Sequence, residues 1–276
     1  MRSCKLPSGA VMPVFGLGTW RMGESARRRD EELDALKYGL ELGYPMIDTA
    51  EMYGEGRSEE LIGGAIEDRR DETFLVSKVY PHHASREAAI AACERSLGRL
   101  GIERIDLYLL HWRGGARLEE TFEAFHRLRA AGKIADFGVS NFDRGDMEDA
   151  ARLDKGLTGS DQVRYCLSRR GPEFDLLPLL RKRAIPLMAY SPLDQGSLLR
   201  KPALKKLADE AGCTPAQLAL AWLLAQPGVV TIPKSSSRER VKENLGALDV
   251  KLSPKMLAEL DRAFPPPKGK QALEML

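Results

Sequence analysis

Apolar residues fall along the chain in eight short runs, at 14–17, 45–47, 74–76, 105–110, 135–139, 162–165, 185–190 and 229–232. Most of them are continuous rather than alternating, as expected for parallel strands buried on both faces. A stretch with helical spacing follows each run. Leu33, Leu36, Lys37 and Leu40 form one amphipathic stripe, stopped by Gly43. Ser58 could cap a helix carrying Leu61, Ile62, Ala65 and Ile66, and Ser85 one carrying Ile90, Cys93, Leu97 and Leu100, closed by Gly101. Phe122, Phe125 and Leu128 lie on a fourth, ended by Gly132. Weaker helical patterns cover 143–153 and 176–183. After the seventh run come two helices, near 204–211 and 215–225, and Val241, Leu245 and Leu248 mark the helix after the eighth.

Strand and helix alternating eight times predicts the α/β class and a (β/α)8 TIM barrel. Turn residues Pro7, Ser8 and Gly9 sit between short apolar pieces at the start and predict an N-terminal hairpin closing the barrel bottom. Pro265-Pro266-Pro267 predicts a stiff, extended C-terminal tail. No shift in composition divides the chain, so residues 1–276 read as one domain.

Composition narrows the partners. The chain has 276 residues and a formal net charge of +2, a balance unlike that of a dedicated nucleic-acid binder or a polybasic membrane-surface protein. No apolar run approaches a membrane span, and the first twenty residues lack a signal-peptide pattern. Cys4, Cys93, Cys166 and Cys213 form no C-x-x-C pair and read as free thiols of a reducing compartment, so a cytoplasmic location is expected. The spacing of Cys93 on its helix stripe places it in the core.

In such a barrel, chemistry gathers where strands end and βα loops begin. Asp48 ends the second run with Tyr53 just beyond, Lys78 lies past the third, and His111 ends the fourth. Ser140-Asn141 follow the fifth, Gln162 opens the sixth, Tyr190-Ser191 end the seventh, and Lys234-Ser235 follow the eighth. Each alone has an ordinary reading: Asp48 as a helix cap, Lys78 as a solvated terminus, Gln162 as a loop amide. Convergence on one rim is harder to explain that way. Trp20, Met52, Tyr80 and Trp112 follow the first four strands and could wall a small apolar pocket, although large aromatics also serve as packing. His82-His83 lacks an evident third ligand, so no metal is expected, and His126 reads as structural.

Several motifs together resemble the aldo-keto reductase superfamily, in the family's order. They are Gly43 to Gly54 with Ile47-Asp48-Thr49-Ala50 and Tyr53, Leu107-Tyr108-Leu109-Leu110-His111-Trp112, Gly138-Val139-Ser140-Asn141-Phe142, Ala189-Tyr190-Ser191-Pro192-Leu193, and Ile232-Pro233-Lys234-Ser235. The compact loops, residues 75–80 and the ending 265–269 look most like a bacterial branch that includes methylglyoxal reductases. Departures occur beside the motifs. Family members often carry Arg-His where Pro45-Met46 stands, Asn where Asp161 stands, and His or Asn where Cys166 stands.

The resemblance implies a catalytic tetrad of Asp48, Tyr53, Lys78 and His111 and a cytoplasmic NADPH-dependent reductase of small carbonyl substrates. Tyr53 would be the general acid, Asp48 would hold Lys78 charged, and His111 would polarise the carbonyl. An ammonium ~4 Å away at an effective dielectric of ~20 is worth about 4 kcal/mol, so Lys78 is expected to lower the phenol's pKa. None of these side chains carries a hydride, so a nicotinamide, NADPH/NADP+, must. No G-x-G-x-x-G follows a strand, which disfavours a Rossmann site and suits this family. By resemblance, Ser140, Asn141 and Gln162 hold the carboxamide, Tyr190 stacks on the nicotinamide, and Thr19, Trp20, Asp48, Ser191 and Leu193 complete the cofactor contacts. Lys234, Ser235 and Arg240 would surround the adenosine 2′-phosphate, with Glu243 and Asn244 near the adenine. A cofactor-binding regulatory subunit with little turnover is the alternative on the same fold. Oligomeric state is not legible.

Overall fold

The eight apolar runs become eight parallel strands that hydrogen-bond in sequence order. In a computed structural model, residues 2–154 and 156–276 are described. The strands are β3 (Leu17–Gly18), β4 (Met46–Asp48), β5 (Phe74–Val79), β6 (Ile105–Leu110), β7 (Ile134–Ser140), β8 (Asp161–Arg164), β9 (Leu187–Tyr190) and β10 (Val229–Thr231). The ends come together through parallel bridges, Phe15 to Thr231 and Gly18 to Lys234, which close the barrel. A side chain at Gly18 would meet the Ile232 carbonyl oxygen at 2.7 Å, so only glycine lets the seam shut. The first run is shorter as a strand than expected, because beyond this seam only Leu17 and Gly18 pair with β4. The seventh begins at Leu187 rather than Ile185, since Pro186 has no N–H to donate.

Before the barrel, β1 (Ser3–Lys5) and β2 (Val11–Pro13) pair antiparallel as the predicted hairpin. Leu6 and Met12 from this segment bury against Met46, Val76, Leu107, Leu109, Met188, Val230 and Ile232. These residues point inward, so the hairpin stoppers the lower end of the barrel.

Outside lie α1 (Arg29–Glu41), α2 (Arg57–Ile66), α3 (Arg86–Leu100), α4 (Leu118–Ala130), α5 (Arg144–Leu153), α6 (Leu176–Lys182), α7 (Pro202–Ala211), α8 (Pro215–Ala225) and α9 (Arg238–Leu245). Their apolar stripes and the outer strand faces form the larger core, with Cys93 fully buried in it. His126 sets its ring edge-on to Phe137, in the structural role expected. Gly101 ends α3 at φ +67, a left-handed position that favours glycine.

Two helix expectations need correction. Ser58 does not cap α2; the cap is Gly56 at φ +92, and the helix starts one residue before Ser58. The Ser58 hydroxyl is buried, donating to Thr19 Oγ1 at 3.0 Å and accepting from Thr49 Oγ1 at 3.2 Å. A tenth helix, α10 (Pro254–Ala263), capped by Ser253, lies beyond the eightfold repeat and packs on α7. The tail after it carries no regular structure, as its prolines predict. Among the described residues, no helix is long and apolar enough to cross a membrane.

Candidate active site

Strand alternation carries the inward stripe up to the rim. Met46, Val76, Leu107 and Leu109 fill the interior. Two residues further along their strands, on the same face, stand Asp48, Lys78 and His111. By the same step, Met188 leads to Tyr190 and Ile232 leads to Lys234. The polar rim is therefore the uppermost layer of the barrel filling.

Lys78 and Asp48 are almost completely buried. The Lys78 ammonium donates to Asp48 Oδ1 at 2.9 Å and Oδ2 at 2.8 Å, and to the Thr49 carbonyl oxygen at 2.7 Å. Tyr53 arrives from a turn in which Gly54, Glu55 and Gly56 all take positive φ, folding the loop back over the barrel. Its hydroxyl lies 3.5 Å from Lys78 Nζ. The His111 ring meets the Tyr53 ring edge-on, with centroids 5.7 Å apart. All four predicted tetrad residues thus come together, all of them buried, with Tyr53 and His111 also lining the cleft.

The electrostatics correct one expectation. Burial pushes the Tyr53 phenol well above its usual 10, and the Asp48 carboxylate pushes the same way. The Lys78 ammonium, held on Asp48 at 2.9 and 2.8 Å, does not offset these two effects. Burial also drives Asp48 up and Lys78 down, against their mutual attraction. His111 sits well below its usual 6.5, from burial first and the Lys78 charge second, so its ring is neutral. Its buried Nδ1 has no hydrogen-bond partner.

Above this floor opens a cleft of about 1070 Å³. Thr19, Trp20, Met52, Trp112, Ser140, Asn141, Gln162, Tyr190, Ser191 and Leu193 line it, as do Lys234, Ser235, Arg240, Glu243 and Asn244. Tyr80 does not. It stands behind Trp112, edge-on at 5.2 Å, and stacks on His82, so it supports the wall rather than forming its surface. Gln162 lies on the floor, yet its amide nitrogen donates to Asp48 Oδ1 at 2.7 Å. Tyr190 donates to Asn141 Oδ1 at 2.9 Å, and Asn141 Nδ2 donates to the His111 carbonyl oxygen at 3.1 Å. Thr19 donates to the Asp48 carbonyl oxygen at 2.9 Å.

Some lining residues escaped the sequence reading. Arg28 and Glu31 face the cleft, as do Met275 and Leu276 of the tail. The tail is tied down by Glu274, whose Oε2 lies 3.0 Å from Arg169 and 3.5 Å from Arg164. Arg113, by contrast, is held by Asp146 at 2.6 Å and Asp149 at 2.8 Å. Glu51 takes His83 Nδ1 at 3.0 Å, and among the described residues no cluster of three or more metal-ligating groups occurs.

The far end of the cleft suits an anion. Lys234 is half-buried, and burial lowers its pKa, yet it makes no ion pair among the described residues. Ser235, Ser236 and Ser237 surround it on the loop leading into α9, and Arg240 follows on that helix. A part-buried cation beside hydroxyls and a helix start fits a phosphate.

A closed eight-stranded barrel with Asp, Tyr, Lys and His at its rim defines a class, and a family model agrees: the chain belongs to the Aldo/keto reductase family, matched over residues 14–264. Among individual relatives, it is 47% identical to the methylglyoxal reductase YeaE of Escherichia coli, spanning 98% of this chain and 97% of that protein. It is 35% identical to the glyoxal reductase of Bacillus subtilis, spanning 93% and 91%. Its fold superposes with a TM-score of 0.96 on an aldo-keto reductase from Klebsiella pneumoniae crystallised with NADPH, at 46% identity over 100% of this chain and 99% of that one.

Proposed function

We propose that the protein is an NADPH-dependent reductase of small aldehydes, ketones and dicarbonyls, methylglyoxal among them, working as one domain in the cytoplasm. One observation carries the reading: Tyr53 and His111 meet at the floor of a cleft whose far end presents the unpaired Lys234. A cleft with hydrogen-bond donors below and a bare cation at one end suits a long anionic cofactor and a small carbonyl. The YeaE and B. subtilis relatives bear the names of dicarbonyl reductases, which supports that substrate class. The four free cysteines agree with a reducing compartment.

When bound, the cofactor supplies the hydride. The chain supplies the rest. His111, neutral, donates one N–H to the carbonyl oxygen and polarises it. Tyr53 gives its phenolic proton to that oxygen as negative charge grows there. A phenol with a raised pKa still serves, because an alkoxide is the stronger base. Lys78 and Asp48 hold the phenol in place. Trp20, Met52 and Trp112 pack on the apolar part of the substrate, with Tyr80 behind them. Ser140, Asn141, Gln162 and Tyr190 orient the nicotinamide end with Thr19, Ser191 and Leu193 beside them. Lys234, Ser235 and Arg240 take the 2′-phosphate, and Glu243 and Asn244 lie toward the adenine.

The test is NADPH oxidation against methylglyoxal, small ketones, nitrobenzaldehydes and open-chain sugars. Methylglyoxal and aromatic aldehydes should give the highest kcat/KM. Cofactor binding with no turnover on any carbonyl would favour the regulatory alternative.

A further inference from the structure

Lys234 and Arg240 line the far end of the cleft from the loop after β10 and from α9. The chain between β3 and α1 makes a short helical turn, Ala26–Arg28, and Arg28 lines the same cleft. Its guanidinium donates to Ser236 Oγ, joining two loops 208 residues apart in sequence. Its Nε lies 3.3 Å from Glu31 Oε2 on the first turn of α1, a half-exposed pair that solvent screens. The Arg28 charge also bears on Lys234, helping burial to lower that lysine's pKa against the pull of Glu32, Glu31 and Glu24. Two cations from separate loops therefore meet at the serine loop, Arg28 bonded to Ser236 and Lys234 next to Ser235, where an anion between them gains from both charges.

On the cofactor reading above, we infer that Arg28 is a cofactor-specificity residue that contacts the adenosine 2′-phosphate from the β3–α1 loop, together with Lys234 and Arg240. The guanidinium presents five donors in one plane, so it can keep Ser236 along one edge while another edge takes two phosphate oxygens. Glu31 is its exchange partner: the weak surface pair holds Arg28 near the mouth and yields when a dianion arrives. Neighbouring Arg27 is exposed and does not line the cleft. Position in the turn, rather than local charge, thus singles out Arg28.

The experiment is equilibrium binding by calorimetry, with NADPH and NADH and with 2′,5′-ADP against 5′-AMP, on the full chain. Arg28→Ala should lose roughly 10- to 100-fold in affinity for NADPH and for 2′,5′-ADP, the range for one charge-assisted contact, and nothing for NADH or AMP. Arg28→Lys should recover part of the loss, and Arg27→Ala should bind like wild type. Equal losses for phosphorylated and unphosphorylated ligands would make Arg28 structural and overturn the inference. So would an Arg28→Ala variant that keeps the preference of a wild type that does prefer NADPH. A wild type that binds NADPH and NADH alike would overturn the cofactor reading itself, and this inference with it.

Discussion

Lys78 donates to both carboxylate oxygens of Asp48, at 2.9 and 2.8 Å, on the inner faces of adjacent strands. Both groups are all but cut off from water. Removing one partner from such a buried pair costs about 3–5 kcal/mol, because the other charge is stranded. Asp48→Ala should therefore lower thermal stability as well as turnover, and differential scanning calorimetry will separate the two effects. A variant with a wild-type melting temperature would mean the pair is not the anchor that its geometry indicates.

Tyr53 is predicted to be the proton donor. Tyr53→Phe should reduce kcat by roughly 10²–10⁴-fold, the range for one general acid, while NADPH affinity stays near wild type. Steady-state kinetics and a binding titration on the same preparation give both numbers. Wild-type kcat in the mutant, with chemistry rate-limiting, would remove Tyr53 from the role.

The pH profile follows from the two shifts. Tyr53 titrates above its usual 10 and so stays protonated, as an acid must, throughout the neutral range. His111 titrates below its usual 6.5 and stays neutral over the same interval. The reduction rate at saturating substrate should be flat between about pH 7 and 9. A fall on the alkaline side centred near pH 7 or 8 would contradict one of the two assignments.

Asp161 is fully buried, and burial holds its carboxyl well above the usual 3.8. Among the described residues, only the Phe142 N–H, at 3.4 Å, reaches it, and Oδ2 has no partner. With a raised folded-state pKa, the stability this carboxyl contributes is fully present below the unfolded value. It is lost as pH rises through the folded one. Asp161→Asn should thus be near neutral at pH 4 and stabilising at pH 8, by about 1–3 kcal/mol if one unsatisfied buried group is relieved. Thermal melts at both pH values check the sign; a larger gain at pH 4 would refute it.

Trp112 forms cleft surface and Tyr80 its backing, so their substitutions should differ. Trp112→Ala should raise KM for aromatic aldehydes roughly tenfold, for about 1.4 kcal/mol of lost contact, with a small effect on kcat. Tyr80→Phe should leave KM within about twofold, since ring packing needs no hydroxyl. Comparable KM changes in the two variants would put Tyr80 on the surface after all.

Much of the site was legible because a barrel strand is a two-residue ruler. Once the apolar runs are read as strands, the polar residues past their ends fall on one rim, and Asp48, Lys78 and His111 need no other clue. Tyr53 depended on the motif around it, because left-handed turns at Gly54–Gly56 return it to the mouth. Three things required the folded chain. Ser58 looked like a cap because a serine precedes an apolar stripe, but Gly56 already occupies that position. The acidity of Tyr53 depends on burial and on the nearby Asp48 charge, and neither is a property of spacing. Arg28 sits on the first βα loop but among three consecutive arginines that spacing does not separate, and Leu276 reaches the cleft only through tertiary contact.

The hairpin that inserts Leu6 and Met12 adds a plug beneath an interior already filled by Met46, Val76, Leu107 and Leu109. Reactants and products share a single doorway. Whatever rests on Tyr53 and His111 must come and go by that same rim.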